Sequence, residues 1–238
     1  MAISLFQAHV LMMILAWMVF GSTGILIARY GRSLRLGNRR QFLGKAVWFQ
    51  THRFLLSITP LLTLLGFLFM LVRNGGAWVN PSVSLVRFVH SIFGGIVVGC
   101  SMVQIWLALY RCNPRSRFRF LFDWIHRITG LLAMIAVIPA IFLILISLMS
   151  FRPYLLPIFA CWTACFAIVV IIFERIQCQQ RAAVALTNDS ENTNARPDVE
   201  SMGNTNPVSR YQNNLKLILL FIHAIISLCL SVVFMRFL

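Results

Sequence analysis

The histidines are the residues of this sequence best suited to chemistry, and all five fall inside long apolar segments. An imidazole can bind a metal, carry a proton or donate a hydrogen bond. In hydrocarbon, an ionisable side chain costs about 2–3 kcal/mol or more unless it is paired or liganded. A single such residue is equally well explained as a neutral histidine bonded to a neighbouring helix. The presence of one histidine on each of four successive segments favours a functional role. These histidines are His9, His52, His90 and His126.

The segments that carry these histidines are long enough to cross a membrane. The chain is 59% hydrophobic and 11% charged, a composition typical of membrane proteins. A bilayer span needs roughly 20 mostly apolar residues. The sequence therefore predicts an all-α integral membrane protein with a four-helix core (helices 1–4) and two further helices, with spans at 4–28, 51–72, 87–110, 125–149, 154–173 and 215–235.

The basic residues predict how these spans are oriented. The net charge of +15 is concentrated in the first, third and fifth loops, and this pattern is typical of membrane topology rather than nucleic-acid binding. The opposite side holds only Arg73, Arg87, Arg152 and Arg236. Both termini are therefore expected on the non-cytoplasmic side, and membrane lipid is an expected partner.

The domain organisation follows from the same hydropathy pattern. We predict a transmembrane domain over 1–176 that contains helices 1–5, and a sixth transmembrane helix within 213–238. The stretch 177–212 is rich in Asn, Thr, Ser and Gln, which favours a disordered cytoplasmic linker. None of the six cysteines falls in a segment assigned to the outside, so no disulfide framework is expected.

The four histidines fall at two depths. His9 and His90 each lie a few residues into a helix that enters from the outside, whereas His52 and His126 lie near the start of helices that enter from the cytoplasm. At about 1.5 Å per residue, the segment from His52 to Arg73 covers roughly 30 Å. Two levels with two ligands each predict a pair of bis-histidine haems, with axial pairs His9–His90 outside and His52–His126 inside.

Haem fits this ligand set better than zinc does. A zinc site requires a third and fourth ligand, and the spans contain almost no acids, whereas a low-spin haem needs two axial nitrogens and an apolar slot. Gly94 and Gly130 each lie four residues after a histidine on the same helical face, where a missing side chain admits a flat ring. Plain helix packing explains such glycines equally well. His223 has no counterpart at its depth and is expected to serve packing or hydrogen bonding.

One alternative function class stays open. In a non-redox transporter or scaffold bundle, the same histidines would relay protons or pack between helices. A respiratory cytochrome b is disfavoured, because it carries two histidines about four turns apart on one helix and no helix here does.

Four motifs in order resemble the cytochrome b561 family, in particular the transmembrane core of its DOMON-linked, ferric-chelate reductase-like members. They are AHVLMMILAWMVFGSTGILIARY, WFQTHR, HSIFGGIVVGCSMVQ and DWIHRITG, and they cover roughly residues 5–150. The resemblance implies a transmembrane oxidoreductase with two haem b groups on His9 with His90 and His52 with His126. It implies cytosolic ascorbate as donor, ferric chelate or monodehydroascorbate as acceptor, and a homodimer as an assembly common in the family. No DOMON domain precedes the core in this sequence, so such a module is expected from another chain if it is needed.

A donor site is expected beside the inner pair. Positive charge there would concentrate an anionic reductant such as ascorbate. Anchoring to lipid headgroups is the alternative role for the same side chains. The candidate substrate residues are Arg53, Arg127, Lys45, Arg39 and Arg40.

Overall fold

Six long helices make up most of the molecule. The structure, a computed structural model, describes residues 3–34, 41–110, 113, 115–193 and 207–238. Each helix in this part of the chain is long and apolar enough to cross a membrane, which confirms the predicted all-α, six-pass architecture: Leu5–Tyr30, Val47–Arg73, Leu85–Leu109, Arg119–Leu148, Leu155–Thr193 and Pro207–Phe237. The chain is a multi-pass membrane protein.

Local sequence signals explain where the first and third helices begin. Ser4 and Gln7 form a reciprocal capping box at the start of the first helix. The Ser84 side chain caps the third helix by accepting from the Arg87 backbone N–H. Within the first helix, Leu15–Gly21 is wound as a π-helix, a form found mostly as short bulges and often at functional sites.

A two-stranded hairpin precedes the second helix. Gln41–Phe42 pairs with Lys45–Ala46, and both turn residues, Leu43 and Gly44, have positive φ. Two consecutive positive-φ residues define the tight turn that suits the twist of a hairpin. The hairpin places Lys45 just before the helix that carries His52.

The fifth and sixth helices extend beyond their predicted spans. The fifth helix continues to Thr193 and the sixth begins at Pro207, so both ends of the predicted linker 177–212 are helical. The physical reason is that residues 177–185 contain Gln, Arg and Ala, which favour helix, and no Gly or Pro. Residues 194–206 lie outside the described part of the chain, and the disorder and cytoplasmic side of the linker stay predictions.

The helices pack in chain order. Each contacts the next along the chain, and the sixth also contacts the first. Neighbours in the four-helix core are therefore first with second, second with third and third with fourth, which places the first and third, and the second and fourth, on diagonals. The main apolar core between the helices includes Trp17, Val97, Met134, Phe159 and Trp162.

Candidate functional site

The outer histidine pair bridges one diagonal of the core. The ring centres of His9, on the first helix, and His90, on the third, are 6.4 Å apart and their planes are inclined by 77°. His9 Nδ1 lies 2.8 Å from the carbonyl oxygen of Gly66, and His90 Nδ1 lies 2.8 Å from that of Ala140. Since a carbonyl can only accept, both Nδ1 atoms carry the proton and donate it.

The inner pair repeats this arrangement on the other diagonal. His52, on the second helix, and His126, on the fourth, have ring centres 6.4 Å apart and planes inclined by 89°. His52 Nδ1 lies 3.3 Å from the carbonyl oxygen of Gly24. The structure thus brings together the same two pairs that the sequence predicted.

The two pairs lie at two clearly separate depths. Gly66, which accepts from His9, is fourteen residues beyond His52 on the second helix, or roughly 21 Å at about 1.5 Å per residue. Gly24, which accepts from His52, is fifteen residues beyond His9 on the first helix, a similar distance. We call the His9–His90 end of the bundle the outer end and the His52–His126 end the inner end, after the predicted orientation.

The separation within each pair suits a single metal ion between two imidazoles. Two nitrogen–metal bonds of about 2 Å, plus the distance from each nitrogen to its ring centre, add up to about 6 Å. The carbonyl bonds fix the tautomer of His9, His52 and His90, so that Nε2 keeps the lone pair a metal requires. Among the described residues there is no group of three or more His, Cys, Asp or Glu side chains that would form a zinc site. Two axial nitrogens across a bundle diagonal match the needs of a bis-histidine haem.

The two predicted slot glycines differ. A Cβ added at Gly94 would meet nothing within 4 Å, so there is open space one turn beyond His90. A Cβ at Gly130 would lie 3.4 Å from the side-chain nitrogen of Gln104, an ordinary packing contact. Gly94 therefore suits a flat group beside the outer pair, while Gly130 also serves helix packing.

Sequence reasoning missed the residues that hold the histidines in place. The three acceptors are backbone carbonyls of Gly24, Gly66 and Ala140, small residues that allow close helix approach. Gln104 Nε2, on the third helix, donates to the His126 carbonyl at 2.7 Å and to Thr129 Oγ1 at 2.6 Å, which ties the fourth helix to the third. Small residues facing a histidine-bearing helix are the only signal that would have pointed to these acceptors.

Phenylalanines line the approach to the inner pair from the helix ends. Phe122 stacks on His126, with ring centres 6.2 Å apart and planes inclined by 9°, and the Arg119 guanidinium lies 5.1 Å from the Phe122 ring centre. On the second helix, the ring centres of Phe49 and His52 are 6.4 Å apart, and the Arg53 guanidinium lies 6.0 Å from the Phe49 ring centre.

The predicted donor residues are only partly brought together. Arg53 and Arg127 are exposed close to the inner pair, and Lys45 is exposed on the hairpin. Arg39 and Arg40 lie outside the described residues. Arg119, which was not among the candidates, lies beside the inner pair and forms an ion pair with Asp123 at 2.9 Å.

His223 is buried in a different setting. It is 2% exposed, and its Nε2 lies 3.0 Å from Ser22 Oγ. Ser22 Oγ donates to the Met18 carbonyl, so it accepts from His223 Nε2, which therefore carries the proton. Ser227 Oγ, which accepts from Trp162 Nε1, lies 3.4 Å from the same nitrogen. His223 thus hydrogen-bonds the sixth helix to the first, as expected of a packing residue.

Curated proteins share sequence with this chain. Ferric-chelate reductase 1 of Mus musculus is 36% identical over 139 residues, which is 58% of this chain and 22% of that protein. Ferric-chelate reductase 1 of Homo sapiens is 32% identical over 142 residues, 60% of this chain and 23% of that protein. The chain is homologous to part of ferric-chelate reductase 1. The bovine ferric-chelate reductase 1, at 33% identity over 139 residues, gives the same result.

This homology confirms the predicted resemblance to ferric-chelate reductase-like proteins. The chain spans about a fifth of the length of the ferric-chelate reductase 1 proteins that it matches. No family model matches the chain. No solved structure matches it either.

Proposed function

We propose that this chain is a transmembrane oxidoreductase that passes single electrons through two b-type haems. In this proposal His9 and His90 are the axial ligands of the outer haem, and His52 and His126 those of the inner haem. The observation that carries it is the repeated geometry: two diagonal histidine pairs with the same 6.4 Å ring separation, at two depths. Homology to ferric-chelate reductase 1 supports a redox function in a membrane.

The residues present fit haem b on three further counts. The Nδ1 bonds of His9, His52 and His90 orient the rings and leave Nε2 for iron. Gly94 leaves open space beside the outer pair. Both pairs lie between apolar helices, where an apolar ring gains from burial. When bound, haem supplies reversible one-electron chemistry, and the chain supplies position, tautomer and a water-poor surrounding.

We propose that the inner end receives electrons from ascorbate or a similar cytosolic reductant. Ascorbate would give up one electron and one proton and become monodehydroascorbate. Arg53 and Arg127 are exposed beside the inner pair, and Lys45 is exposed just before the His52 helix, so their positive charge would attract such an anion. Arg39 and Arg40 belong to the same proposal from the sequence.

We propose that the outer end delivers each electron to a ferric chelate or to monodehydroascorbate, with ferric iron reduced to ferrous. Arg73 and Arg152 lie near the outer pair. Arg73 lies 5.1 Å from the Phe6 ring centre, and Arg152 lines a cavity of about 330 Å³ together with Ser4 and Gln7, two residues from His9. Cationic and amide groups around such a cavity suit the carboxylates of an iron chelate.

Haem counting on single-histidine variants tests the proposal. His9→Ala and His52→Ala should each bind one haem per chain instead of two, because each removes one axial ligand of one site. The two variants should differ in spectrum and reduction potential, since different haems remain. Pyridine haemochrome assay against protein concentration measures the haem content.

His223→Asn is the matched control for these variants. Asn keeps a hydrogen-bonding side chain at a buried histidine whose ring contacts Phe166 rather than a second imidazole, so this variant should retain two haems. Two haems in His9→Ala or His52→Ala would contradict the ligand assignment. A purified wild-type chain without haem would instead support the non-redox transporter or scaffold alternative.

A further inference from the structure

A second polar region lies at the inner end, between the first, fifth and sixth helices and away from the histidine pairs. It contains a cavity of about 310 Å³, which we call the inner-end cavity, lined by Ser33, Gln177, Gln180, Arg181 and Val184. This volume is at the lower end of the range of small-ligand sites. Its lining combines a guanidinium, a hydroxyl and two carboxamides, which are groups that bind an oxyanion.

The buried ammonium group of Lys216 lies next to residues that line the inner-end cavity. Lys216 is 0% exposed, and its Nζ donates to Gln180 Oε1 at 2.8 Å and to Ser33 Oγ at 3.2 Å. Both partners line the inner-end cavity, so the charge of Lys216 lies beside it. Gln180 is held in turn by donating to Asn213 Oδ1 at 3.0 Å.

Among the acidic side chains that the structure describes, the one in this region, Glu174, is already engaged. Glu174 Oε1 accepts from Arg29 Nε and from Tyr30 Oη, each at 2.5 Å, and it acts on Arg181 and Lys216 only through longer-range electrostatics. Within the described residues, neither Lys216 nor Arg181 has a carboxylate oxygen within the 4.0 Å of an ion pair. Of the described groups here, Arg29, Arg181 and Lys216 therefore share one carboxylate, and a buried cation such as Lys216 that has no ion-pair partner is costly.

We propose that the inner-end cavity binds a phosphate group, with Arg181 and Lys216 supplying the charge and Ser33 and Gln177 supplying hydrogen bonds. The phosphate of an anionic lipid headgroup is one source and free phosphate is the other. Arg181 lies four residues before the end of the fifth span, and Lys216 six residues into the sixth. These positions correspond to the headgroup level, where basic pockets between helices bind anionic lipids.

Thermal unfolding of the purified full chain in a neutral detergent tests the proposal with three probes: dioctanoyl phosphatidic acid, dioctanoyl phosphatidylcholine and inorganic phosphate. Phosphatidic acid at saturation should raise the Tm by about 5 °C, because it binds only the folded chain. Phosphatidylcholine, which has no net charge, should leave the Tm unchanged. A rise with inorganic phosphate as well would identify free phosphate as sufficient, and a rise with phosphatidic acid alone would identify the lipid as the source.

Three variants distinguish a specific phosphate site from general attraction by positive surface charge. R181Q should weaken phosphatidic acid binding about tenfold or more, and K216M should abolish the Tm rise. R175Q is the matched control, because Arg175 is an exposed arginine of the same helix that does not line the cavity, and it should bind within twofold of wild type. R181Q tests the site even if K216M is unstable, because Arg181 is exposed. The proposal is overturned if neither phosphate compound raises the Tm, or if R175Q weakens binding as much as R181Q.

Discussion

Three histidines of the four-helix core and the histidine of the sixth helix are hydrogen-bonded through opposite ring nitrogens. In the four-helix core, His9, His52 and His90 donate through Nδ1 to backbone carbonyls, and their rings face a second imidazole across the bundle. In the other half, His223 is bonded through Nε2 to Ser22, and its nearest ring is Phe166. One arrangement leaves Nε2 available for iron, and the other uses Nε2 to join helices.

This difference gives a physical criterion for a ligand histidine inside a membrane protein. Depth and helix number alone do not separate a ligand from a packing residue, because all five histidines lie within spans. Under the proposed haem assignment, the ring nitrogen that is hydrogen-bonded and the presence of a second imidazole at about 6 Å do separate them. Four substitutions test that distinction, and the largest change in haem content is expected at Gly94.

Filling the open space at Gly94 should remove the outer haem. The side chain of Gly94→Leu would occupy the region one turn beyond His90 in which a Cβ meets nothing within 4 Å. Haem content should fall from two per chain to one. Gly99→Leu is the control, because Gly99 also has open space but lies about half a turn away from the face of His90. An equal loss in both variants would show that the slot assignment is wrong.

Crowding the helix contact at Gly66 should weaken only the outer site. A Cβ there would meet Met12 Cβ and Met13 Cε at 3.2 Å, so Gly66→Ala would push the first helix away and disturb the His9 bond to the Gly66 carbonyl. Loss of such an orienting partner costs about 10-fold to 100-fold in metal affinity. Haem transfer to apomyoglobin, followed by absorbance, should be faster for the outer haem alone. Faster release of the inner haem alone would contradict this account.

Removing the amide of Gln104 should have a smaller effect, confined to the inner site. Gln104→Leu removes the two hydrogen bonds that tie the fourth helix at His126 and Thr129, each worth about 1 kcal/mol. We expect both haems to remain bound, with a changed reduction potential for the inner haem in a redox titration. Thr129→Val, which keeps the bond to the His126 carbonyl, should change that potential less. A shift in the outer potential alone would be inconsistent with this placement.

Breaking the serine network around His223 should leave haem content unchanged. Ser227→Ala deprives the buried Trp162 Nε1 of its acceptor, at a cost of about 1–3 kcal/mol in the free energy of unfolding. The Tm should fall, while two haems remain and the spectrum is that of wild type. Loss of a haem in this variant would place the fifth and sixth helices within the haem-binding structure and remove the distinction between the two halves.

The sequence predicts the six spanning helices, and it predicts the two histidine groupings that the structure brings together. Hydropathy predicts spans directly because a bilayer demands long apolar helices. The pairing of His9 with His90 followed from depth, since successive helices run in opposite directions. The end of the fifth helix was missed, because the helix continues into polar residues up to Thr193 that hydropathy assigns to a loop.

The contacts around the candidate sites could not be predicted in the same way. The carbonyls of Gly24, Gly66 and Ala140 are backbone atoms, so no side-chain type marks them. Lys216 looks like one more basic residue at a helix end, and only the fold brings it to Ser33, which is 183 residues away along the chain. Such contacts depend on the close packing of helices that are distant in sequence.

The absorbance spectrum of the purified wild-type chain, expressed with an adequate haem supply, tests the central claim most directly. Two bis-histidine sites predict a six-coordinate, low-spin b-type spectrum and two haems per chain. Addition of ascorbate should reduce the haems and convert the spectrum to that of the reduced form. A folded chain with no Soret band would contradict haem binding. A single haem per chain would contradict the claim that both diagonal pairs are haem sites.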